Sequence, residues 1–184
     1  MKKTSRRNMI KNITAGSMAM GALGALSAFD TSKNNMEIDT SLKGNINHSV
    51  CKWTFDFLPL EELCKVVKQI GFSAIDLLTP KEWPMAQRYG IYSSMCYTAG
   101  EVSLTKGFNN PEYHDQLVKD YLEVIPMMAK SGYKNLICFS GNRNGMDDET
   151  GLKNCVAGLQ KIMPLAEKNG IIIQMELFNS KVDH

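Results

Sequence analysis

Residues 170–179 read GIIIQMELFN, and the reading of this stretch decides the fold. Three isoleucines followed by Met175 and Leu177 make a strand with apolar side chains on both faces, the pattern of a parallel strand covered by helices. Gly170 sets it off from the segment before it, and Glu176 stands at its C-terminal end. A carboxylate is almost never fully buried without a partner, so Glu176 must reach a cation, a set of hydrogen-bond donors or a solvent-filled cavity.

Working back toward the N-terminus, the same unit recurs. SVCKWTF (49–55), FSAIDLL (72–78), IYSSMCY (91–97) and KNLICFS (134–140) read as four earlier strands. Helical spacing lies between them: Leu63, Val66, Val67 and Ile70 within Leu60–Ile70, a short helix around Glu82–Tyr89, a helix of about twenty residues from Pro111 and another from about Asp148 to Asn169. Leu117, Tyr121, Leu122, Ile125 and Met128 form the apolar stripe of the third. Gly71, Gly90, Gly132 and Gly170 close the four helices, and Pro126 and Pro164 fall inside helical stretches as candidate kinks. Strands and helices in strict alternation imply right-handed crossovers and a parallel sheet.

A doubly wound open sheet and a (β/α)8 barrel share this grammar. The barrel is favoured, because no strand–helix turn carries a glycine-rich phosphate fingerprint and polar residues gather at the C-terminal ends of several strands. A full barrel needs roughly 250 residues. The expected fold class is therefore α/β, a parallel (β/α)8 TIM barrel truncated after about the fifth strand, with a complete five-stranded open sheet as the alternative. Open strand edges in such a piece predict an aggregation-prone or partly disordered product unless two copies complete each other as a homo-oligomer.

The 184 residues are 43% hydrophobic and 22% charged with a net charge of +2, and Lys2, Lys3, Arg6, Arg7 and Lys11 crowd the basic excess into the first eleven. That leaves no basic face for nucleic acid and points to targeting. Ser5-Arg6-Arg7, Ile10 and Lys11, followed by a weakly apolar Gly- and Ala-rich run, fit a twin-arginine export signal over 1–29. The expected organisation is that signal, a polar linker over 30–47 and a barrel domain over 48–184, with delivery to the periplasm by the twin-arginine translocation machinery. The five cysteines show no CxxC spacing and several sit in apolar runs, so they read as core thiols and neither as a disulfide framework nor as a zinc site.

Glu176 is the leading candidate for chemistry. Asn179 and Ser180 follow it in the next loop and could orient a substrate, and His184 lies further on. Arg143, between Asn142 and Asn144 in GNRNGMDDE (141–149), could present a guanidinium to a carboxylate or polyhydroxylated ligand; the alternative is a solvated turn in which Asp147 or Asp148 caps the next helix. Asp76 is a second acid in an apolar strand, read as a hydrogen-bond partner of the first or third strand. Trp53, Phe55, Phe57 and Tyr97 could wall a pocket, and His114 reads as a surface residue.

LPLEELCKVVKQIGFSAIDLL (58–78), FSGNRNG (139–145) and above all PLAEKNGIIIQMELFNSKVDH (164–184) resemble the N-terminal half of hydroxypyruvate isomerase-like proteins, within the xylose-isomerase-like (β/α)8 sugar isomerases and epimerases. The resemblance covers Ser49 to His184. It implies interconversion of hydroxypyruvate and 2-hydroxy-3-oxopropanoate by proton transfer beside a carbonyl. It further implies Glu176 as the acid/base residue and as a ligand of a divalent metal, magnesium or manganese, with Arg143 and Asn179 on a small hydroxy-carbonyl substrate. A second acid and further ligands belong on later strands, so the fragment alone is expected to be inactive. A sugar epimerase or isomerase with a larger substrate, and a non-catalytic periplasmic sugar-binding domain, are the alternatives.

Overall fold

In the computed structural model, residues 46–98, 100 and 104–177 are described. The expected export signal (1–29) and all but the last two residues of the linker (30–47) lie outside them. Five strands run in chain order: β1 (Ser49–Cys51), β2 (Ala74–Asp76), β3 (Tyr92–Ser93), β4 (Asn135–Phe139) and β5 (Ile172–Glu176). Between them lie α1 (Leu60–Ile70), α2 (Trp83–Arg88), α3 (His114–Ser131), α4 (Asp148–Leu159) and α5 (Met163–Lys168).

All the pairings are parallel. β2 sits between β1 and β3, with Cys51 opposite Asp76, and β4 pairs with β5, with Phe139 opposite Glu176. Cys96 joins the two ladders by bridging in parallel to both Leu78 and Leu136. The spatial order is thus 1-2-3-4-5 with no reversal. A doubly wound sheet reverses at a switch point, whereas a barrel adds each strand beside the last, so the sequential order identifies the barrel grammar.

The helices pack on the outer face of this sheet. Leu63, Cys64 and Val67 of α1, Tyr121, Val124, Ile125 and Met128 of α3, and Ile75, Leu136 and Cys138 of the strands share one core. Two side-chain hydrogen bonds pin helices to the sheet: Trp83 Nε1 donates to the Leu78 carbonyl beyond β2 at 3.0 Å, and the Tyr121 hydroxyl to the Ile137 carbonyl within β4 at 2.8 Å. All five cysteines are free thiols, four of them buried. Burial pushes the Cys96 thiol up to about 11 and the Cys138 thiol up to about 12.

The inner face is polar where a barrel interior is ordinarily filled by branched apolar residues. Asp76 accepts from the Ser49 hydroxyl at 2.7 Å and also from the Ser94 hydroxyl, so it bonds toward the first and the third strand at once. Asn135 Nδ2 donates to the Ser94 carbonyl at 2.9 Å, and Gln174 Nε2 to Asn135 Oδ1 at 3.2 Å. The chain of bonds links one residue from each of the five strand segments.

Three expectations are corrected. The first strand ends at Cys51 and does not run to Phe55: the Thr54 hydroxyl donates back to the Cys51 carbonyl at 2.7 Å, and Lys52–Phe55 turn into a 3-10 helix. The helix expected over 148–169 is two: a proline ring clashes with the carbonyl four residues earlier and kinks or breaks a helix, and here α4 stops at Leu159 and Pro164 sits in the first turn of α5. Pro126, by contrast, is accommodated within α3. His114 is buried at 4% exposure, with its Nε2 2.8 Å from the Phe108 carbonyl oxygen. α4 closes over it at Gly158, where a Cβ would stand 2.6 Å from Phe108 Cδ1 and 2.9 Å from His114 Nε2.

That approach makes Gly158 intolerant of a side chain despite its helical position. Gly158→Ala gains up to about 1 kcal/mol of helix propensity but incurs about 1–3 kcal/mol of overpacking against a buried ring, so a net loss is expected as a lower urea midpoint. Asp76→Ala removes the acceptor of the exposed Ser49 and half-buried Ser94 hydroxyls and is expected to lose about 1 kcal/mol in the same measurement; an unchanged midpoint would show that the inner bonds contribute nothing.

Candidate active site at the strand ends

β1, β2, β3, β4 and β5 all point their C-terminal ends toward a cavity of about 700 Å³. Lys52, Trp53 and Asp56 enter it from beyond β1; Leu77, Thr79 and Glu82 from beyond β2; Tyr97 and Leu104 from beyond β3. Phe139 closes β4, and Glu176 and Leu177 close β5. Because successive residues of a strand face opposite sides, Gln174 and Glu176 lie on the inner face while Ile173 and Met175 pack toward the helices.

Glu176 is exposed to this cavity, and among the described residues none ion-pairs or hydrogen-bonds with its carboxylate. Of the three outcomes open to an acid at the end of an apolar strand, the structure takes the solvent-filled cavity. The cations that could have neutralised it are engaged elsewhere. Lys52 Nζ lies 2.8 Å from Glu82 Oε1, and Arg143 Nη2 lies 2.7 Å from Asp148 Oδ1.

Glu82 is held firmly. Its Oε2 accepts from both the amide and the hydroxyl of Thr79, each at 2.8 Å. Burial alone raises its carboxyl, but the Lys52 ammonium and the two Thr79 donors reverse this and hold it below the usual Glu value. The spacing Thr79-Pro80-Lys81-Glu82 is the Thr-x-x-Glu signature of a turn opening a helix, so this part of the site carried a readable signal. Leu77 carried none. It adopts φ 66° at the cavity wall, in the left-handed region that a Leu enters at roughly 1–2 kcal/mol, while its amide donates to the Met95 carbonyl at 2.7 Å.

Trp53 projects its indole at 65% exposure on the cavity rim, and Tyr97 and Phe139 face one another at 5.9 Å between ring centroids. The aromatics expected to wall a pocket therefore do so at Trp53 and Tyr97; Phe57 projects to solvent, and Phe55 packs against the core with its ring tilted 50° to that of Phe57.

Arg143 lies in a second cavity of about 380 Å³, with Asp147, Asp148, Cys155 and Met175 among its walls. Its Nε donates to the Met146 carbonyl at 2.9 Å, and Asp147 caps α4 by accepting from the Thr150 amide at 2.9 Å. The turn is thus the solvated, capped one, and the structure does not bring Arg143 together with Glu176. Asn179, Ser180 and His184 lie outside the described residues. Among the described residues no three His, Cys, Asp or Glu side chains are grouped so as to hold a metal ion, and no helix is long and apolar enough to cross a membrane.

No protein-family pattern matches the chain, and no curated protein matches it in sequence. Solved structures do match in fold. The chain resembles D-psicose 3-epimerase from Clostridium cellulolyticum at a TM-score of 0.56 and 12% identity, over 73% of this chain and 53% of that one. A sugar phosphate isomerase/epimerase from Parabacteroides distasonis aligns at a TM-score of 0.55 and 10% identity, over 84% and 56%. A family 2 AP endonuclease from Brucella melitensis aligns at 0.58 and 16%, over 74% and 57%. The chain spans little more than half the length of each. At these identities the likeness carries the fold and leaves function to the site: the described residues build five consecutive strands of a parallel (β/α)8 barrel.

Proposed function

We propose that the protein is an isomerase or epimerase of hydroxy-carbonyl compounds, acting by proton transfer at the carbon beside the carbonyl with Glu176 as the acid/base group. The observation that carries this reading is a carboxylate without an ion-pair partner among the described residues, fixed by a paired strand at the mouth of a barrel. A base for a C–H proton must be ionised, rigidly placed and open to the substrate. The β4–β5 ladder supplies the rigidity, since Phe139 is paired with Glu176 and the Ser140 amide donates to the Glu176 carbonyl at 3.3 Å. Removing the proton leaves an enediolate, whose oxygen needs an electrophile; the same carboxylate can return the proton to the neighbouring carbon on that face, whereas return on the other face needs a second acid.

The described residues supply neither in full. A hard divalent cation collects about six ligands, and Glu176 alone does not make such a set. A magnesium or manganese site would draw on residues beyond those described, and no step is derived through it. Arg143 could reach a substrate only after leaving Asp148, and Asn179 stands as a substrate-binding proposal from its place three residues after Glu176.

Two substrates fit the chemistry. The sequence resemblance implies hydroxypyruvate and 2-hydroxy-3-oxopropanoate; a cavity of about 700 Å³ has the size of sites for larger ligands and favours a sugar. Delivery to the periplasm by a twin-arginine signal remains part of the proposal.

Solvent exchange tests the mechanism. In deuterated water the protein is expected to exchange the proton on the carbon beside the substrate carbonyl, and Glu176→Gln is expected to slow exchange by about 10²–10⁴-fold with substrate affinity changed far less. Equal exchange in the variant would remove Glu176 from the acid/base role. Sugar binding with no exchange in the unaltered protein would instead identify a binding domain.

A further inference from the structure

The charges around the barrel mouth are unbalanced. Among the described residues lining it, one ammonium, Lys52, stands with three carboxylates, Asp56, Glu82 and Glu176. Lys52 is committed to Glu82 at 2.8 Å, with the two side chains only 33% and 20% exposed. Glu82 is in turn fixed by the amide and hydroxyl of Thr79. The pair ties the loop after β1 to the loop after β2, and a ligand anion sharing the Lys52 ammonium would stand beside the Glu82 carboxylate that already compensates its charge.

Arg143 offers no replacement, since its guanidinium is bonded to Asp148 and to the Met146 carbonyl on the wall of the other cavity. A carboxylate or phosphate entering the mouth therefore meets Asp56 and Glu176 with no uncommitted countercharge among the described residues. An uncharged ligand meets no such opposition. The Trp53 indole on the rim suits the C–H face of a sugar ring, and the carboxylates of Asp56 and Glu176 can accept hydrogen bonds from its hydroxyls.

Resting on the isomerase reading above, we propose that the mouth selects an uncharged polyhydroxy carbonyl compound, a free sugar, over carboxylate- or phosphate-bearing counterparts. The Lys52–Glu82–Thr79 lock is the specificity-determining element, because it keeps the mouth's cation from acting as an anion receptor.

Calorimetric titration of the protein with D-fructose, fructose 6-phosphate and hydroxypyruvate tests this at low and high salt. D-Fructose is expected to bind at least about tenfold more tightly than either anion at low ionic strength, with the gap narrowing as salt screens the mouth. Glu82→Gln releases Lys52 and is expected to raise the affinity for both anions relative to fructose by about tenfold. Lys52→Met, which avoids an unpaired ammonium, is expected to leave the anion affinities of the unaltered protein no higher than before. Tighter binding of an anion than of fructose, loss of anion binding in Lys52→Met, an unmoved anion-to-fructose ratio in Glu82→Gln, or binding of none of the three overturns the proposal. Because the readout is binding, the two readings fail separately. Fructose bound without proton exchange removes the isomerase and keeps the selection; faster exchange on an anion keeps the isomerase and removes the selection.

Discussion

The join at Cys96 holds the half-barrel together. Its amide donates to the Asn135 carbonyl at 2.8 Å, its carbonyl accepts from the Ile137 amide at 3.1 Å, and the neighbouring Tyr97 amide donates to Leu78 at 3.1 Å. Three strands on one side and two on the other become a single surface through these few bonds. A sheet joined anywhere else would rotate Glu176 away from Lys52 and Trp53, and no common cavity would form. The side chain at this position is completely buried.

From that join outward the molecule separates two environments. The outer face of the sheet is dry and apolar, and hydrophobic burial against α1 and α3 supplies most of its cohesion. The inner face carries hydroxyls, amides and the Asp76 carboxylate bonded to one another, with the Glu176 carboxylate open beyond them. These bonds need their partners placed accurately, because a hydrogen bond weakens steeply away from its preferred distance and angle. The strand register is therefore specified twice, once by apolar residues facing outward and once by polar ones facing inward.

Much of this was legible in the chain. α1 runs over the Leu60–Ile70 stretch given by its apolar spacing, and Gly71 and Gly132 end α1 and α3 with φ values of 94° and 78°. Glu176 was legible because an acid at the end of GIIIQME contradicts its surroundings. Residues whose roles arise from distant partners were less so. His114 follows a proline-led turn and neighbours Asp115, a polar context that hides its burial; only the approach of Gly158, forty-four residues away, reveals it. Lys52 sat inside an apparent strand, and its meeting with Glu82 required knowing that Thr54 turns the chain back. Arg143 looked exposed and available, yet a carboxylate five residues on had already engaged it.

The thiols have a consequence for the protein's chemical durability. Attack on a disulfide or on a peroxide proceeds through the thiolate. Cys96 and Cys138 hold their protons to about 11 and 12, and the thiols of Cys51, Cys64 and Cys155 are likewise raised by burial. Near neutral pH each is therefore almost wholly in its unreactive form, and most are shielded from reagents by the core itself. The same packing that joins the strands thus slows oxidation of the four buried thiols, Cys64, Cys96, Cys138 and Cys155, and leaves the half-buried Cys51 as the most accessible of the five.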